Sequence, residues 1–371
     1  MPDPLFDELN ATTLKEIYPR VIKDQFFKSA ALLAYLRQNV KPFGGGASMN
    51  FSFLFSPLIG GAYAPGDNFN TTKIPTLSGA TFQPKYYYVA VPEFKELLQV
   101  QNRGPLAIFS IIDVDLRNAM NTMNVMLAIA NWREGTSAPR AKQVNGLSEG
   151  VNNGVDPSWD GTIALSYGGQ LRNGVVGAAL NSTPLWCGNA LGAAGPVLYS
   201  HLQESFQDCS IGPNEPNLGV CNKALFAYIL ERIQPQQRFA MEKDPLYGAT
   251  GFKFMSARIL KDEYCPSAVY GENHPILGNY LTTTVVAPGA PTAKSKLPAG
   301  QTCTVGEVFG WFNTQNDNML YRLSDDPEFG VGFSGFIPTQ DNTRVVGHVK
   351  AAVNLEVTAP RLQKILYGLN S

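Results

Sequence analysis

The sequence predicts an α+β fold in which a long β-hairpin stands apart from a packed body. Three observations carry that prediction. Asn50-Phe51-Ser52-Phe53-Leu54-Phe55 places phenylalanine at every second position, between glycines and Pro57, which is the period of a strand. Residues 105–132 place Leu106, Phe109, Ile112, Leu116, Met120, Met123, Leu127 and Ala130 at intervals of three or four, which is the period of a helix. Two further segments, Pro84–Pro92 and Val345–Val357, are rich in aromatic and β-branched residues, as strands are.

Taken in order, residues 12–38 form a first helical region. Thr13 and Glu16 have the spacing of a capping box, and Pro19 breaks the region into a short turn and a helix from about Arg20 to Gln38. Residues 39–82 lack helical periodicity and read as a hairpin. A strand runs out near 48–56, a Gly/Pro-rich tip covers 57–79, and a strand returns from Thr81. A connection this long with no core of its own is usually functional. The strand Pro84–Pro92 has apolar residues on both faces and is expected to be buried on both. The helix 105–132 opens on Pro105, which suits a first turn, and would be about 40 Å long at roughly 1.5 Å per residue. Its methionines fill core space.

Residues 133–160 are Asn/Gly/Asp-rich and read as a solvated linker, without the alternating acidic spacing of a calcium loop. Helices are expected from about 195 to Asp208 and over Lys223–Ile233, where Pro235 ends the second. Residues 251–261 read as one strand, and 285–301 as a loop. Glu307–Leu323 holds strand material before a turn at DDPEFG. Val345–Val357 is a long strand followed by Pro360 and a short amphipathic tail. No repeat of 20–50 residues is present.

Charge and composition narrow the function. Charged residues are 16 % of the chain, against the usual quarter, while hydrophobic residues are an ordinary 44 %. With 35 glycines and 26 prolines, this describes a loop-rich protein with much surface not meant for water, as in large oligomers. A formal net charge of -1 excludes a dedicated DNA-binding protein and leaves only local, nonspecific nucleic-acid contact. Five cysteines (187, 209, 221, 265 and 303) form no CxxC pair and read as reduced buried thiols. The acidic N-terminus does not read as a signal peptide, and no run of about 20 apolar residues would span a membrane. The sequons at Asn10, Asn50, Asn70 and Asn181 read as coincidental.

Catalytic patterns are thin. GVGFSG at 330–335 matches GxGxxG, but DDPEF precedes it and Phe336-Ile337-Pro338 follows, so it lacks the helix that a phosphate cradle needs. There is no GxSxG, HExxH or GxxxxGK[ST]. His201, His274 and His348 are widely separated. Asp113 and Asp115 point different ways on a helix, and the pairs Asp262/Glu263 and Asp325/Asp326 sit at turns. No catalytic residue, cofactor site or metal site is assigned.

The order of parts is more telling. Segments 12–38, 42–92 and 105–132, then LFAYILERIQPQQRF (225–239), GFKFMSARILKDEYCP (251–266) and VVGHVKAAVNLEVTAP (345–360), together resemble the major capsid proteins of tailed bacteriophages, the Hong Kong 97-like fold. The resemblance covers nearly the whole chain and implies an N-terminal arm (1–40) and an extended loop (41–85). It implies a peripheral domain with its spine helix (86–150), an axial domain (151–330), and a return to the peripheral domain (331–371). It implies a structural shell subunit whose partners are identical copies in hexamers and pentamers, with scaffold, portal or decoration proteins and packaged double-stranded DNA touched nonspecifically, located in a virion assembled in bacterial cytoplasm. Some relatives crosslink a loop lysine to a neighbour's asparagine. Lys73 and Lys85 lie in the corresponding region, but no crosslink is assigned.

On this reading Phe51, Phe53 and Phe55, with Phe69 and Phe82, are candidate inter-subunit contacts, because a bare two-stranded hairpin is marginal in water and its rings would need cover from a neighbour. Gly44, Gly45, Gly46, Gly60 and Gly61 are candidate hinges. An encapsulin-like compartment, sharing the fold but holding a cargo enzyme, is the nearest alternative. An α+β hydrolase with an unrecognised site is the other.

Overall fold

The computed structural model describes residues 30–54, 58–73, 75–94, 111–136, 140–154, 157–172, 186–233, 241–243, 250–266, 284–286, 302–304, 307–338 and 344–370. The sequence readings for 1–29, Phe55, 95–110, 267–283 and 287–301 lie outside them.

The described chain opens with α1 (Ala31–Gln38), whose Ala31, Leu32, Leu33 and Leu36 are buried. It continues into β1 (Val40–Phe43), the hairpin strands β2 (Met49–Leu54) and β3 (Leu77–Phe82), and β4 (Lys85–Phe94). Helix α2 is described over Ile111–Ala130, the C-terminal part of the expected spine. Its inward side is Met123, Val125, Leu127 and Ala130, whereas Met120 is exposed at 40 %. The middle of the chain provides α3 (Leu147–Gly150), β5 (Ser166–Tyr167), β6 (Gln170–Leu171), β7 (Asn189–Pro196), α4 (Tyr199–Asp208), β8 (Leu218–Cys221) and α5 (Lys223–Ile233). Then follow β9 (Met241–Lys243), β10 (Thr250–Phe254), β11 (Ala257–Lys261), β12 (Thr284–Val286), β13 (Thr302–Thr304) and β14 (Glu307–Phe312). The chain closes with β15 (Met319–Ser324), β16 (Gly330–Pro338), β17 (Arg344–Val357) and β18 (Lys364–Asn370).

Two sheets organise the body. The first joins β1, β15, β17 and β16 in that order, with β4 also on β17. The long β17 shares one edge between β4, paired over Arg344–Val353, and β15, paired over Val353–Val357. Helix α2 packs across β4 and β17. The second sheet has the order β7-β18-β14-β8-β11-β10-β9. Two hydrophobic cores result. One runs from α1 through α2 and the first sheet, and the other gathers α4, α5 and the second sheet around Phe206, Phe252, Phe254, Phe309 and Trp311.

Several expectations are corrected. Strand β4 is buried on one side only: Tyr87, Val91 and Glu93 face inward, while Tyr86 and Tyr88 are 65 % and 68 % exposed. The stretch 133–160 is no solvated linker. Val144, Leu147, Val151 and Trp159 are fully buried, and its polar residues bond inward: Asn152 Nδ2 donates to Ser158 Oγ, and the Gly135 amide donates to Glu149 Oε2. Four apolar anchors suffice to pull a polar stretch into the core once its amides find partners. Residues 251–261 form a hairpin instead of one strand, turning at Met255 with φ 51°. The amphipathic tail after Pro360 is β18, an interior strand between β7 and β14. The two sheets also cut across the expected boundaries, since β15 precedes residue 330 yet joins the first sheet, and β18 follows it yet joins the second.

Candidate assembly interface

Strands β2 and β3 pair antiparallel, with Met49 opposite Phe82, Phe51 opposite Ala80 and Phe53 opposite Ser78. Alternation then puts Met49, Phe51, Phe53, Ala80 and Phe82 on one face and Asn50, Ser52, Leu54, Leu77, Gly79 and Thr81 on the other. The first face lies against the chain's own body. Phe82 and Ala80 are buried, and Phe51 and Phe53 are half-buried. The cover is Trp186: its ring stacks on Phe53 at 4.3 Å and 2°, and Phe51 tilts against it at 5.8 Å. Phe51 in turn stacks on Phe82 at 6.0 Å, and Phe82 meets Tyr167 edge-on at 4.8 Å.

That platform is firmly held. Trp186 Nε1 donates to the Tyr167 carbonyl, and the Val357 amide donates to Tyr167 Oη. Arg172, fully buried, lies 5.0 Å from the Tyr167 ring and donates to the carbonyls of Trp186, Glu149 and Gly150. Burial pulls its guanidinium down to about 10, within the range where it stays charged at neutral pH. The β5–β6 turn then touches the hairpin: the Thr81 amide donates to the Gly168 carbonyl at 2.9 Å, and Gln170 Nε2 donates to the Gly79 carbonyl at 2.6 Å.

The sequence-selected contacts therefore separate. Phe82 is corrected: it belongs to the chain's own core and is not available to a neighbour. Phe51 and Phe53 offer only their outer edges, because Trp186, 133 residues after Phe53, supplies the cover that a neighbour was expected to give. Phe69 is 68 % exposed, at 5.0 Å from Tyr63 in the tip. Sequence reasoning missed the fully open apolar side chains: Leu54 and Leu77, directly paired across the hairpin at 72 % and 65 % exposed, and Leu58 and Tyr63 at 78 % and 68 %. The signal was there in Leu54, which breaks the Phe/polar alternation toward the other face. Of the candidate hinges, Gly45 and Gly46 have φ of 111° and 112°, in the region that favours glycine. Gly44 lies beside Asp325, and Gly60 and Gly61 stand in open space.

The described residues offer little for bond-making chemistry. A cleft of about 620 Å³ is lined by Glu134, Arg140, Glu149, Asp160 and residues 161–166. Its arginine already reaches Glu134 at 3.9 Å and Asp160 at 3.8 Å. Cys209, Cys221 and Cys265 are buried free thiols whose ionisation burial opposes, and Cys187 is half-buried. No group of three or more His, Cys, Asp or Glu side chains among the described residues could hold a metal. Gly330–Gly335 of the GxGxxG match lie in β16, a strand throughout. No helix among the described residues is long and apolar enough to cross a membrane.

Against solved structures the whole chain finds partners. The capsid of cyanophage A-1(L) is similar at a TM-score of 0.62 and 10 % identity, over 95 % of this chain and 96 % of that one. The chain has the Hong Kong 97-like fold. The same fold appears in the encapsulin of the holo-SrpI complex from Synechococcus elongatus PCC 7942, at 0.59 and 9 % identity over 98 % and 95 % of the two chains. It appears again in the capsid of a native GTA particle, at 0.56 and 12 % identity over 96 % of each. No family model and no curated protein sequence matches the chain.

Proposed function

We propose that this chain is the major shell subunit of a tailed-phage head, self-assembling into hexamers and pentamers of an icosahedral capsid that encloses double-stranded DNA. One observation carries the reading. A chain with the full-length fold of shell proteins presents a hairpin whose inner face rests on its own body and whose outer face and tip leave Leu54, Leu58, Tyr63, Phe69 and Leu77 open to a neighbour. Burying such side chains is worth about 1.5–3 kcal/mol each, so a closed ring of these contacts is strongly cooperative. Tyr86 and Tyr88 of β4 are exposed as well, beside Phe329 and His348. The subunit acts by geometry and not by catalysis, with Gly44–Gly46 and Gly60–Gly61 absorbing differences between five- and six-fold environments. Scaffold, portal and decoration proteins complete the particle, which assembles in the host cytoplasm.

The likeness to an encapsulin favours one second reading, a compartment shell around a protein cargo. Expression of the chain alone, followed by negative-stain electron microscopy, tests both. Shells, tubes or rings are expected, and a monodisperse 40.3 kDa monomer would overturn both. Nuclease-protected DNA in particles from infected cells marks the capsid; a single co-purifying enzyme marks the compartment.

A further inference from the structure

Among the described residues, β2 and β3 form a sheet of their own, joined by backbone ladder to neither large sheet. The body's large sheets hold it by side-chain hydrogen bond at one root, where Asn354 Nδ2 of β17 donates to the Gln83 carbonyl at 2.9 Å. At the other root the chain passes through Gly45 and Gly46, where an added Cβ would meet nothing within 4 Å of Gly45 and only a backbone oxygen at 3.7 Å near Gly46. That root is a free joint. Met49, Ala80 and Phe82 anchor the hairpin's base in the core; farther out, the angle is fixed by the Trp186 platform and two hydrogen bonds to the β5–β6 turn.

We infer that Trp186, with Phe53 stacked on it and Gln170 bonded beside it, is an intramolecular clamp that sets the hairpin's angle, and through that angle the curvature and size uniformity of the assembled shell. The inference rests on the shell-subunit reading and assigns positioning residues to it. Three features favour a clamp over plain core packing. The stack is parallel to within 2°, so it resists tilt in one defined direction. Phe51 and Phe53 keep their outer edges in solvent, so loss of the contact exposes rings without opening a cavity in the core. Trp186 itself is immobilised from behind, by its Nε1 bond to the Tyr167 carbonyl and by Arg172 on its own carbonyl. A fixed platform, a free joint and a rigid arm together define an angle. A neighbour touched by the far end of the arm converts a small change at the base into a large displacement.

The test uses the full chain as Phe53→Leu and Phe53→Tyr, the first removing the ring stack and the second keeping it, with Gln170→Ala as a surface substitution that removes one bond. In unassembled protein, hydrogen exchange at the Thr81 amide is read. In assembly reactions, particle diameters are read by electron microscopy. Phe53→Leu and Gln170→Ala are expected to accelerate Thr81 exchange about tenfold and to give shells of mixed diameter and open sheets, with subunit incorporation unchanged. Phe53→Tyr is expected to restore uniform shells. Unchanged exchange in both Phe53→Leu and Gln170→Ala, or shells of wild-type uniformity despite faster exchange, would overturn the clamp. So would complete loss of assembly in Phe53→Leu, which would make the ring a direct inter-subunit contact. If Phe53→Leu loses its fold by circular dichroism, Gln170→Ala decides alone on the same two readouts. If the wild-type chain forms no particles at all, the shell reading fails while the exchange arm still decides the clamp.

Discussion

At the residue scale, Gly168 and Glu307 show how single positions are constrained. Gly168 has φ +58°, and a Cβ there would sit 2.8 Å from both the Ala80 Cβ and the Phe82 Cζ. Its neighbour Gly169 has φ +78° with nothing within 4 Å. Gly169→Ala should therefore cost only the left-handed backbone term, about 1 kcal/mol, whereas Gly168→Ala should cost about 2–4 kcal/mol, because the hairpin base must also be pushed away. Denaturant melts of the two variants check the difference. Glu307 is 5 % exposed, its Oε2 has no hydrogen-bond partner among the described residues, and burial pushes its carboxyl up to about 7. The folded chain thus holds this proton more tightly than the unfolded chain does. Stability from this group is complete below the ordinary carboxylate range and is lost as pH rises through about 7. Glu307→Gln, which is neutral at every pH, should raise stability by about 1–3 kcal/mol at pH 8 and by little at pH 4.5. Equal effects at the two values would mean that Glu307 is not the group responsible.

At the scale of elements, the sequence was readable wherever the pattern was local. Phenylalanine at every second position gave β2; the three-to-four spacing gave α2; and the span Lys223–Ile233 reads as the helix that is α5. What was not legible depended on partners distant in sequence. The inner face of the hairpin looked uncovered because Trp186 lies far downstream, and nothing in the pattern of residues 50–55 indicates which aromatic will meet them. Tyr86 and Tyr88 looked buried because composition does not say which side of a strand a helix will cover. The polar stretch 133–160 looked solvated because its burial depends on Trp159 and Leu147 finding space under β17 and α2. In the candidate interface, likewise, the phenylalanine pattern pointed to the face that the body covers, and the exposed leucines were missed. The consequence is testable: Leu54→Ser with Leu77→Ser changes only side chains exposed by more than 60 % in the monomer. The double variant should melt within about 1 kcal/mol of wild type, as exposed substitutions do, yet assemble at a critical concentration raised roughly tenfold or more. Sedimentation of assembly reactions over a concentration series measures it. Wild-type assembly would move the contact away from this face.

At the scale of the whole molecule, the two cores cannot be separated in chain order, because the C-terminal segment weaves between them. From β14 in the second sheet the chain passes to β15, β16 and β17 in the first, then returns as β18 between β7 and β14 of the second. The link is reinforced at the start of the chain, where the Asp262 carboxylate after β11 accepts the Leu32 amide in the first turn of α1 at 2.8 Å. Strand β18 is short, yet Ile365, Leu366, Tyr367 and Leu369 are all buried at 3 % exposure or less; among the described residues β7 pairs with it alone, and β14 has it along one edge. At about 1.5–3 kcal/mol per buried side chain, these four alone are worth about 6–12 kcal/mol, which equals the whole net stability of an ordinary domain. Removing residues 364–371 should therefore leave an insoluble chain or one without cooperative unfolding, although by its sequence this segment reads only as a short amphipathic tail. Replacing residues 58–73 with a short Gly-Ser link should do the opposite. The hairpin tip contributes no residue to either core, so circular dichroism and the cooperative melt should survive while particles disappear. A truncated chain that folds would show that β18 is dispensable to the second sheet. A tipless chain that still closes shells would show that assembly is governed elsewhere. Together the two variants test whether stability and assembly reside in separate parts of one polypeptide.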